Sequence, residues 1–207
     1  MLTLRTLVLG LLFLAQAQTY PPPYPRPGTT KVMENDLVIV WDVSWLKQAY
    51  PTHRHVYDYA GIYYTDGDRI IVSEQGARSP SHSVAWDTFS LQRGITHSEE
   101  GASEQPLRGI FLEFKLPQPV GTPDTRTSPP AFPPTSSKQL RDSDRVTIWE
   151  ITPAPGASLS SPHVHTRDDV IVTFTALKPR VTFVNRGTVH SDEHTTGADR
   201  AFVFEVK

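Results

Sequence analysis

The strongest constraint on the fold of this 207-residue chain is an internal repeat, because four short blocks occur twice in the same order. The matched blocks are residues 40–43 (VWDV) with 148–151 (IWEI), 53–55 (HRH) with 163–165 (HVH), 93–100 (RGITHSEE) with 186–193 (RGTVHSDE), and 110–115 (IFLEFK) with 202–207 (FVFEVK). Such a repeat indicates one structural plan used twice. The first half carries the longer insertion, around residues 73–89.

Short strand-like segments dominate both halves. They are rich in β-branched or aromatic residues and bounded by Gly, Pro or Asp, at residues 37–43, 69–73, 109–115, 145–151, 170–175, 180–184 and 201–206. These features predict strands. Residues 18–207 show no pattern typical of a helix of useful length. We therefore predict an all-β protein built from two small barrels or jelly rolls.

Proline-rich segments mark the boundaries of the two halves. Proline cannot continue a helix or donate to a central ladder, so these stretches favour extended linkers. The predicted organisation is a signal peptide at 1–17, a Pro-rich lead-in at 18–34, a first barrel at 35–115, a Pro/Ser/Thr-rich linker at 116–142 and a second barrel at 143–207.

The first 17 residues have the pattern of an export signal. Arg5 gives a short positive region, residues 7–14 form an apolar run, and Ala15-Gln16-Ala17 is a small-x-small cleavage pattern. The run is too short for a stable bilayer span. We expect an exported protein, periplasmic or extracellular, with no membrane anchor after cleavage.

The composition limits the available chemistry. The chain has no cysteine, which excludes disulfides, thiolate zinc sites and cysteine nucleophiles. Its 20 Lys and Arg against 22 Asp and Glu give a net charge of −2, which does not favour a nucleic-acid partner. Any metal site must therefore use His, Asp, Glu or weaker ligands.

Six histidines fall into two matching triplets. Each triplet is a His-x-His pair followed by a third His inside an Arg-Gly-x-x-His-Ser block: His53, His55 and His97, then His163, His165 and His190. On a strand, His-x-His places both imidazoles on one face, because side chains alternate with period two. Two triplets at equivalent positions of a repeat indicate two candidate metal sites.

These motifs resemble the two short motifs of the cupin superfamily, and their pairing resembles a bicupin. The resemblance implies a double-stranded β-helix (jelly-roll) barrel in each half, with a metal held inside by the His-x-His pair, a carboxylate and the third His. In the second half this implies His163, His165, Asp169 and His190, with Asp168 as the competing carboxylate. The implied ion is a divalent transition metal, and the ligand types do not select among Mn, Fe, Cu, Ni and Zn.

The first half departs from the cupin pattern at the carboxylate. The equivalent position is Tyr59, preceded by Asp58. Three alternatives stay open: an oxygen ligand from Asp58 or Tyr59, a three-His site on His53, His55 and His97, or an empty site. Three-His sites occur in some iron-dependent dioxygenase cupins, so the missing acid does not imply inactivity.

Other side chains have less specific expectations. Trp41 and Trp149 are expected in the core, and the acidic residues after the third His are expected to be solvated: Glu99, Glu100, Asp192 and Glu193. The candidates for lining the first barrel are Tyr57, Tyr59, Tyr63 and Tyr64.

The resemblance implies an exported metal-dependent enzyme of dioxygenase, oxidase or decarboxylase type that acts on a small oxygenated molecule. The alternative from a different class is a non-catalytic exported module that binds a metal or small ligand. A metal-free structural protein would make both triplets vestigial. The expected partner is a small molecule, and homo-oligomer formation is left open.

Overall fold

The computed structural model describes residues 19–115, 130–131, 137–151, 159–192 and 197–207, with backbone alone at 159–161 and 190–192. The expected signal peptide and most of the expected linker lie outside the described residues. Within the described part every regular element is a strand: β1 Thr29–Glu34, β2 Val38–Trp45, β3 His53–Arg54, β4 Asp58–Tyr63, β5 Gly67–Ser73, β6 Arg78–Ser83, β7 Thr88–Leu91, β8 Thr96–Gly101, β9 Leu107–Phe114, β10 Ser137–Asp142, β11 Val146–Ile151, β12 Leu159–Val164, β13 Asp168–Thr175, β14 Lys178–Val184, β15 Val189–Asp192 and β16 Arg200–Val206. The all-β prediction is confirmed.

The strands form two units, which we call unit 1 (β1–β9) and unit 2 (β10–β16). Unit 1 has a five-stranded sheet in the order β1-β2-β9-β4-β7 and a four-stranded sheet in the order β3-β8-β5-β6. Unit 2 has a five-stranded sheet in the order β10-β11-β16-β13-β14 and a two-stranded sheet β12-β15. The five-stranded sheets have equivalent strand orders, so the structure confirms the repeated jelly-roll plan.

The two units differ mainly by one hairpin. In unit 1, β5 and β6 lie between β4 and β7 and extend the smaller sheet. In unit 2, Ala176 and Leu177 connect β13 directly to β14 in a tight turn, with φ of 48° and 60°. This hairpin accounts for the longer insertion in the first half of the sequence.

The two five-stranded sheets pack against each other. Alternate residues of β2 point to opposite sides: Val38 and Val40 belong to a core shared with unit 2, whereas Ile39 and Trp41 face the interior of unit 1. The shared core takes side chains from β2, β4 and β9 of unit 1 and from β11, β13 and β16 of unit 2. Each large sheet is therefore buried on both faces, which explains its nearly continuous apolar strands.

The lead-in and the linker each contribute a strand. β1 pairs with β2 and β10 pairs with β11, with an irregularity in register between Lys31 and Met33 and again between Gln139 and Arg141. Both are edge strands with mostly polar, partly exposed side chains. The apolar alternation that marks the inner strands is therefore weak in them.

No helix in the described residues is long and apolar enough to cross a membrane.

Candidate metal centre

A repeated turn holds the His-x-His segment of each unit beside the third histidine. Gly94 has a φ of 94° and Gly187 a φ of 79°, a backbone region that glycine adopts without the Cβ clash. The N–H of Gly94 donates to the carbonyl of His55 at 2.7 Å, and that of Gly187 donates to the carbonyl of His165 at 2.7 Å. The Arg-Gly-x-x-His block thus ties its own turn to the His-x-His pair.

Strand pairing brings the third histidine opposite the first. His53 of β3 is the register partner of His97 in β8, and His163 of β12 is the register partner of His190 in β15. The backbone places both predicted triplets in equivalent positions. His55 lies just beyond the end of β3, and His165 lies just beyond the end of β12. The side chain of His190 lies outside the described part of the structure.

In unit 1 the three imidazoles form a compact cluster. Ring centroids are separated by 5.2 Å for His53 and His55, 4.7 Å for His53 and His97, and 5.2 Å for His55 and His97. One ring nitrogen from each residue lies within 4.8 Å of the others. The Nε2 atoms of His55 and His97 are 3.4 Å apart. A tetrahedral ion about 2.1 Å from two nitrogens separates them by about 3.4 Å, so this pair already has ligand spacing.

The environment keeps these imidazoles neutral, as metal ligands must be. Burial lowers the pKa of His55 to about 3 and that of His97 to about 4, and the neighbouring histidines add to both effects. Burial also lowers the pKa of His53. The Nδ1 of His53 lies 3.1 Å from the carbonyl oxygen of Pro51. Because a carbonyl can only accept, Nδ1 carries the proton and Nε2 offers its lone pair.

His55 has one further feature of a ligand site. Its Nε2 faces the Nε2 of His97 at 3.4 Å. Two imidazole nitrogens that face each other leave at most one hydrogen bond between them. An ion between the rings would accept the lone pairs of both, so the donor set fits a metal.

Tyr59 occupies the position of unit 1 that matches Asp169 in the sequence repeat. Its ring stacks on the imidazole of His55, with centroids 3.9 Å apart and planes 6° apart. Burial raises the pKa of its hydroxyl well above the usual range, so the group stays neutral. The ring covers one face of a histidine, which fixes the orientation of that imidazole.

Asp58 has a different role in the structure. Its carboxylate accepts a hydrogen bond from the backbone N–H of Arg93 at 2.9 Å. In unit 2 the equivalent Asp168 accepts from the N–H of Arg186 at 3.0 Å. Both aspartates thus stabilise the repeated Arg-Gly turn. This geometry favours the three-His alternative in unit 1 and leaves Asp169 as the carboxylate nearest the histidines in unit 2.

Unit 2 brings a carboxylate directly to a histidine. His163, His165 and Asp169 are all buried, with His163 and His165 ring centroids 5.3 Å apart. Asp169 Oδ2 pairs with the Nδ1 of His165. A carboxylate on Nδ1 orients the imidazole and directs its Nε2 lone pair outward. Asp169 therefore orients one of the predicted ligands, and its own role as a direct ligand stays a prediction.

The histidines of unit 1 open onto a small internal cavity of about 50 Å³. Besides His55 and His97, its wall is mostly aromatic, and it also includes charged side chains; the lining residues central here are Tyr59, Tyr63, Phe89, Phe111, Arg69 and Glu99. Of the four tyrosines considered from the sequence, Tyr59 and Tyr63 line this cavity. Tyr64 instead packs in the core shared by the two units.

Glu99 contradicts the expectation of a solvated acidic turn. It is buried, accepts a hydrogen bond from the indole of Trp45 at 2.8 Å, and lies between Arg26 and Arg69. Its partners hold the pKa of its carboxyl below the usual range despite burial. The period-two rule contained the signal: Glu99 follows His97 by two residues on β8 and so shares its face.

The comparisons with known proteins concern the fold. No protein-family model and no curated protein matches the chain. Among solved structures, AerE from Microcystis aeruginosa is 11% identical, with a TM-score of 0.56 over 91% of this chain and 98% of AerE. A cupin 2 conserved barrel domain protein from Leptotrichia buccalis is 13% identical, with a TM-score of 0.50 over 86% of this chain and 88% of that protein.

The repeated antiparallel sheets define a two-unit jelly-roll protein with a histidine cluster inside unit 1. Its fold is similar to that of the cupin barrel protein from Leptotrichia buccalis, and the two repeated units have the jelly-roll plan that the sequence motifs predicted.

Proposed function

We propose that the protein is an exported, metal-binding bicupin whose unit 1 holds one divalent transition-metal ion on His53, His55 and His97. The observation that carries this proposal is the cluster itself: three neutral imidazoles, two of them fully buried, with ring nitrogens within 4.8 Å of one another. The proposal of export rests on the pattern of residues 1–17.

The residues of unit 1 prepare the site in separate ways. Pro51 holds the tautomer of His53, the ring of Tyr59 holds His55, and the aromatic wall limits access of water. Nitrogen donors of this kind suit Mn, Fe, Cu, Ni or Zn. When bound, such an ion supplies polarisation of an oxygen-bearing group or activation of dioxygen.

The proposed reaction class is a dioxygenase, oxidase or decarboxylase acting on a small oxygenated molecule. The cavity supports a small substrate: its volume is about 50 Å³, and about 10–15 Å³ of such space holds one water. A molecule of a few heavy atoms therefore fits beside His55 and His97.

The alternative function is a non-catalytic module that retains a metal or a small ligand. The small, largely aromatic cavity favours this candidate, because it leaves room for an ion but gives a large substrate no access. The two functions differ in the ion's open positions. An enzyme needs an exchangeable water at the metal, whereas a storage or structural site has its coordination closed.

Metal analysis of the purified full chain tests the proposal. Wild type, loaded with divalent ions, is expected to hold metal that is lost in His53→Ala/His55→Ala. His82→Ala is the matched control, since His82 is exposed and paired with Asp68, and it should retain full metal content. The variant His163→Ala/His165→Ala reports separately on unit 2. Negligible metal in reloaded wild type would overturn the metal-binding proposal.

Water exchange separates the enzyme from the binding module. With Mn²⁺ loaded, the enhancement of solvent proton relaxation is large for an ion with exchangeable water and small for an ion with closed coordination.

Export has its own test: the amino terminus of the mature protein is expected to be Gln18. A chain that keeps Met1 and stays inside the cell would contradict export alone.

A further inference from the structure

A buried cluster of opposite charges lies next to the proposed metal site. The carboxylate of Glu99 is 3.2 Å from Nη2 of Arg26 and 3.2 Å from Nη1 of Arg69. The side chains of these residues are 5% (Arg26), 12% (Arg69) and 7% (Glu99) exposed. Water therefore screens these charges little, and groups inside the protein or a bound ion must compensate them.

The cluster has one positive charge too many. Two guanidiniums, which do not lose their protons in proteins, share a single carboxylate, so the sum is +1. A buried unpaired charge is costly unless a counter-ion or hydrogen bonds compensate it. Arg26 is partly compensated by aromatic rings, since its guanidinium lies 3.7 Å from the centre of the Tyr50 ring.

Arg69 has a donor left over and lies at the cavity. One of its nitrogens bonds Glu99 and another bonds the hydroxyl of Tyr63. Its buried Nε has no hydrogen-bond partner in the described part of the chain. Arg69 lines the same small cavity as His55 and His97. A small anion in this cavity would neutralise the excess charge beside Arg69.

We propose that this cavity binds a small monocarboxylate, of the size of formate or acetate, through Arg69 and beside the histidine cluster. The proposal deepens the proposed function, because it names the chemical class of the ligand at the same site. The volume of about 50 Å³ sets the size limit, and the single excess positive charge sets the ligand's charge.

The two arginines of the proposed anion site lie within or just before unit 1, outside the repeated blocks. Arg69 lies on β5, one strand of the hairpin that unit 2 replaces by the turn at Ala176 and Leu177. Arg26 lies before β1, in the Pro-rich lead-in. Both arginines therefore come from segments outside the four repeated blocks. The repeat supplies the histidines, and the additions specific to unit 1 supply the anion-binding charge.

Calorimetric titration with sodium formate in a chloride-free buffer tests the proposal on the purified full chain, once metal-loaded and once treated with chelator. Wild type is expected to bind formate in both forms. Arg69→Met should weaken binding by about 10-fold or more, since it removes a charged hydrogen-bond donor. Glu99→Gln should tighten binding, because it raises the excess charge.

Two further variants control for structure. Arg78→Met removes an exposed arginine of β6, the other strand of the hairpin. Arg78 pairs with Glu100 of β8, so this variant should leave formate affinity unchanged. Arg69→Lys keeps the charge and should retain most of the affinity. If Arg69→Met unfolds, the tighter binding expected of Glu99→Gln and the unchanged binding expected of Arg78→Met still test the proposal.

The outcomes separate this inference from the proposed function. One outcome is that formate binds only to metal-loaded protein, with equal affinity in wild type and Arg69→Met. The anion would then bind to the metal, which would overturn the role of Arg69 and leave the metal site supported. Absence of formate binding in both forms would also overturn it. Formate binding to a protein that never retains metal would support the anion site and refute the metal proposal.

Discussion

The indole nitrogen of Trp41 donates a hydrogen bond to Oε2 of Glu113 at 2.8 Å, with both residues buried in unit 1. Unit 2 repeats this contact between Trp149 and Glu205 at 2.5 Å. Each Trp comes from the first repeated block and each Glu from the last. The contact therefore joins the two ends of each unit across neighbouring strands, and burial raises the pKa of both carboxyls.

The first prediction concerns this contact. Trp41→Phe should lower the free energy of unfolding by about 1–3 kcal/mol, because it leaves a buried carboxylate without its donor. Glu113→Gln should cost less, since the amide carbonyl still accepts from the indole. Urea denaturation followed by circular dichroism measures both. An unchanged free energy of unfolding in Trp41→Phe would show that the hydrogen bond contributes nothing measurable.

The second prediction separates the strain of a turn from its role in the site. Gly94→Ala and Gly76→Ala both place a Cβ at positive φ, 94° and 84°, with no heavy atom closer than 3.6 Å at either position. Each should cost about 1 kcal/mol of stability. Only Gly94 is hydrogen-bonded to the backbone of His55, at 2.7 Å. We therefore expect Gly94→Ala to weaken metal binding several-fold and Gly76→Ala to leave it unchanged.

Competition with a coloured chelator measures metal affinity in these two variants, and thermal unfolding measures their stability. Equal affinities at equal stability would mean that the Gly94 turn does not position the histidines. Lower affinity in both variants would point instead to a general loss of folded protein.

The repeat explains why so much of the fold could be predicted from the sequence. The repeated blocks occur in the same order in both halves, for example 53–55 and 93–100 in the first half and 163–165 and 186–193 in the second. This common order indicates that equivalent strands pair in the two units. The pairing of His53 with His97 then follows from the topology of one barrel. Inner strands such as β9 and β16 have a strong apolar pattern because both of their faces are buried.

Other features depend on contacts between residues distant in sequence, and the pattern alone could not supply them. Glu99 is acidic within an exposed-looking block, and its burial depends on Arg26, which lies 73 residues earlier. Tyr59 matches Asp169 in the repeat, but its ring stacks on the imidazole of His55. The core shared by the two units forms where two sheets pack together. The alternation of apolar residues within one strand cannot predict which other sheet that strand packs against.

The third prediction concerns that shared core. Leu112 and Phe111 are neighbours on β9 that point to opposite faces: Leu112 into the core shared with unit 2 and Phe111 into unit 1. Leu112→Ala should cost about 2–5 kcal/mol and Phe111→Ala about 3–5 kcal/mol. Hydrogen exchange followed by mass spectrometry should show faster exchange in β16 for Leu112→Ala, because Phe202 and Phe204 of β16 belong to the same core.

Phe111→Ala is the matched control for this experiment. It should speed exchange mainly around the cavity of unit 1, where Phe111 is a wall residue. If Leu112→Ala left β16 as protected as in wild type, the two units would not depend on one common core for their stability.

The last prediction is a pH dependence of the metal-free protein. Burial lowers the pKa of His55 from 6.5 to about 3 and that of His97 from 6.5 to about 4. Between the lowered pKa values of the folded protein and the ordinary pKa of 6.5, the unfolded chain binds more protons than the folded one. The free energy of unfolding is therefore highest above pH 6.5 and falls as the pH falls. Urea midpoints of chelator-treated protein should therefore decrease from about pH 7.5 to about pH 5.5, above the range where most carboxylates titrate. His55→Gln should flatten this decrease. A midpoint that does not change over this range would mean that these imidazoles are not buried as neutral groups.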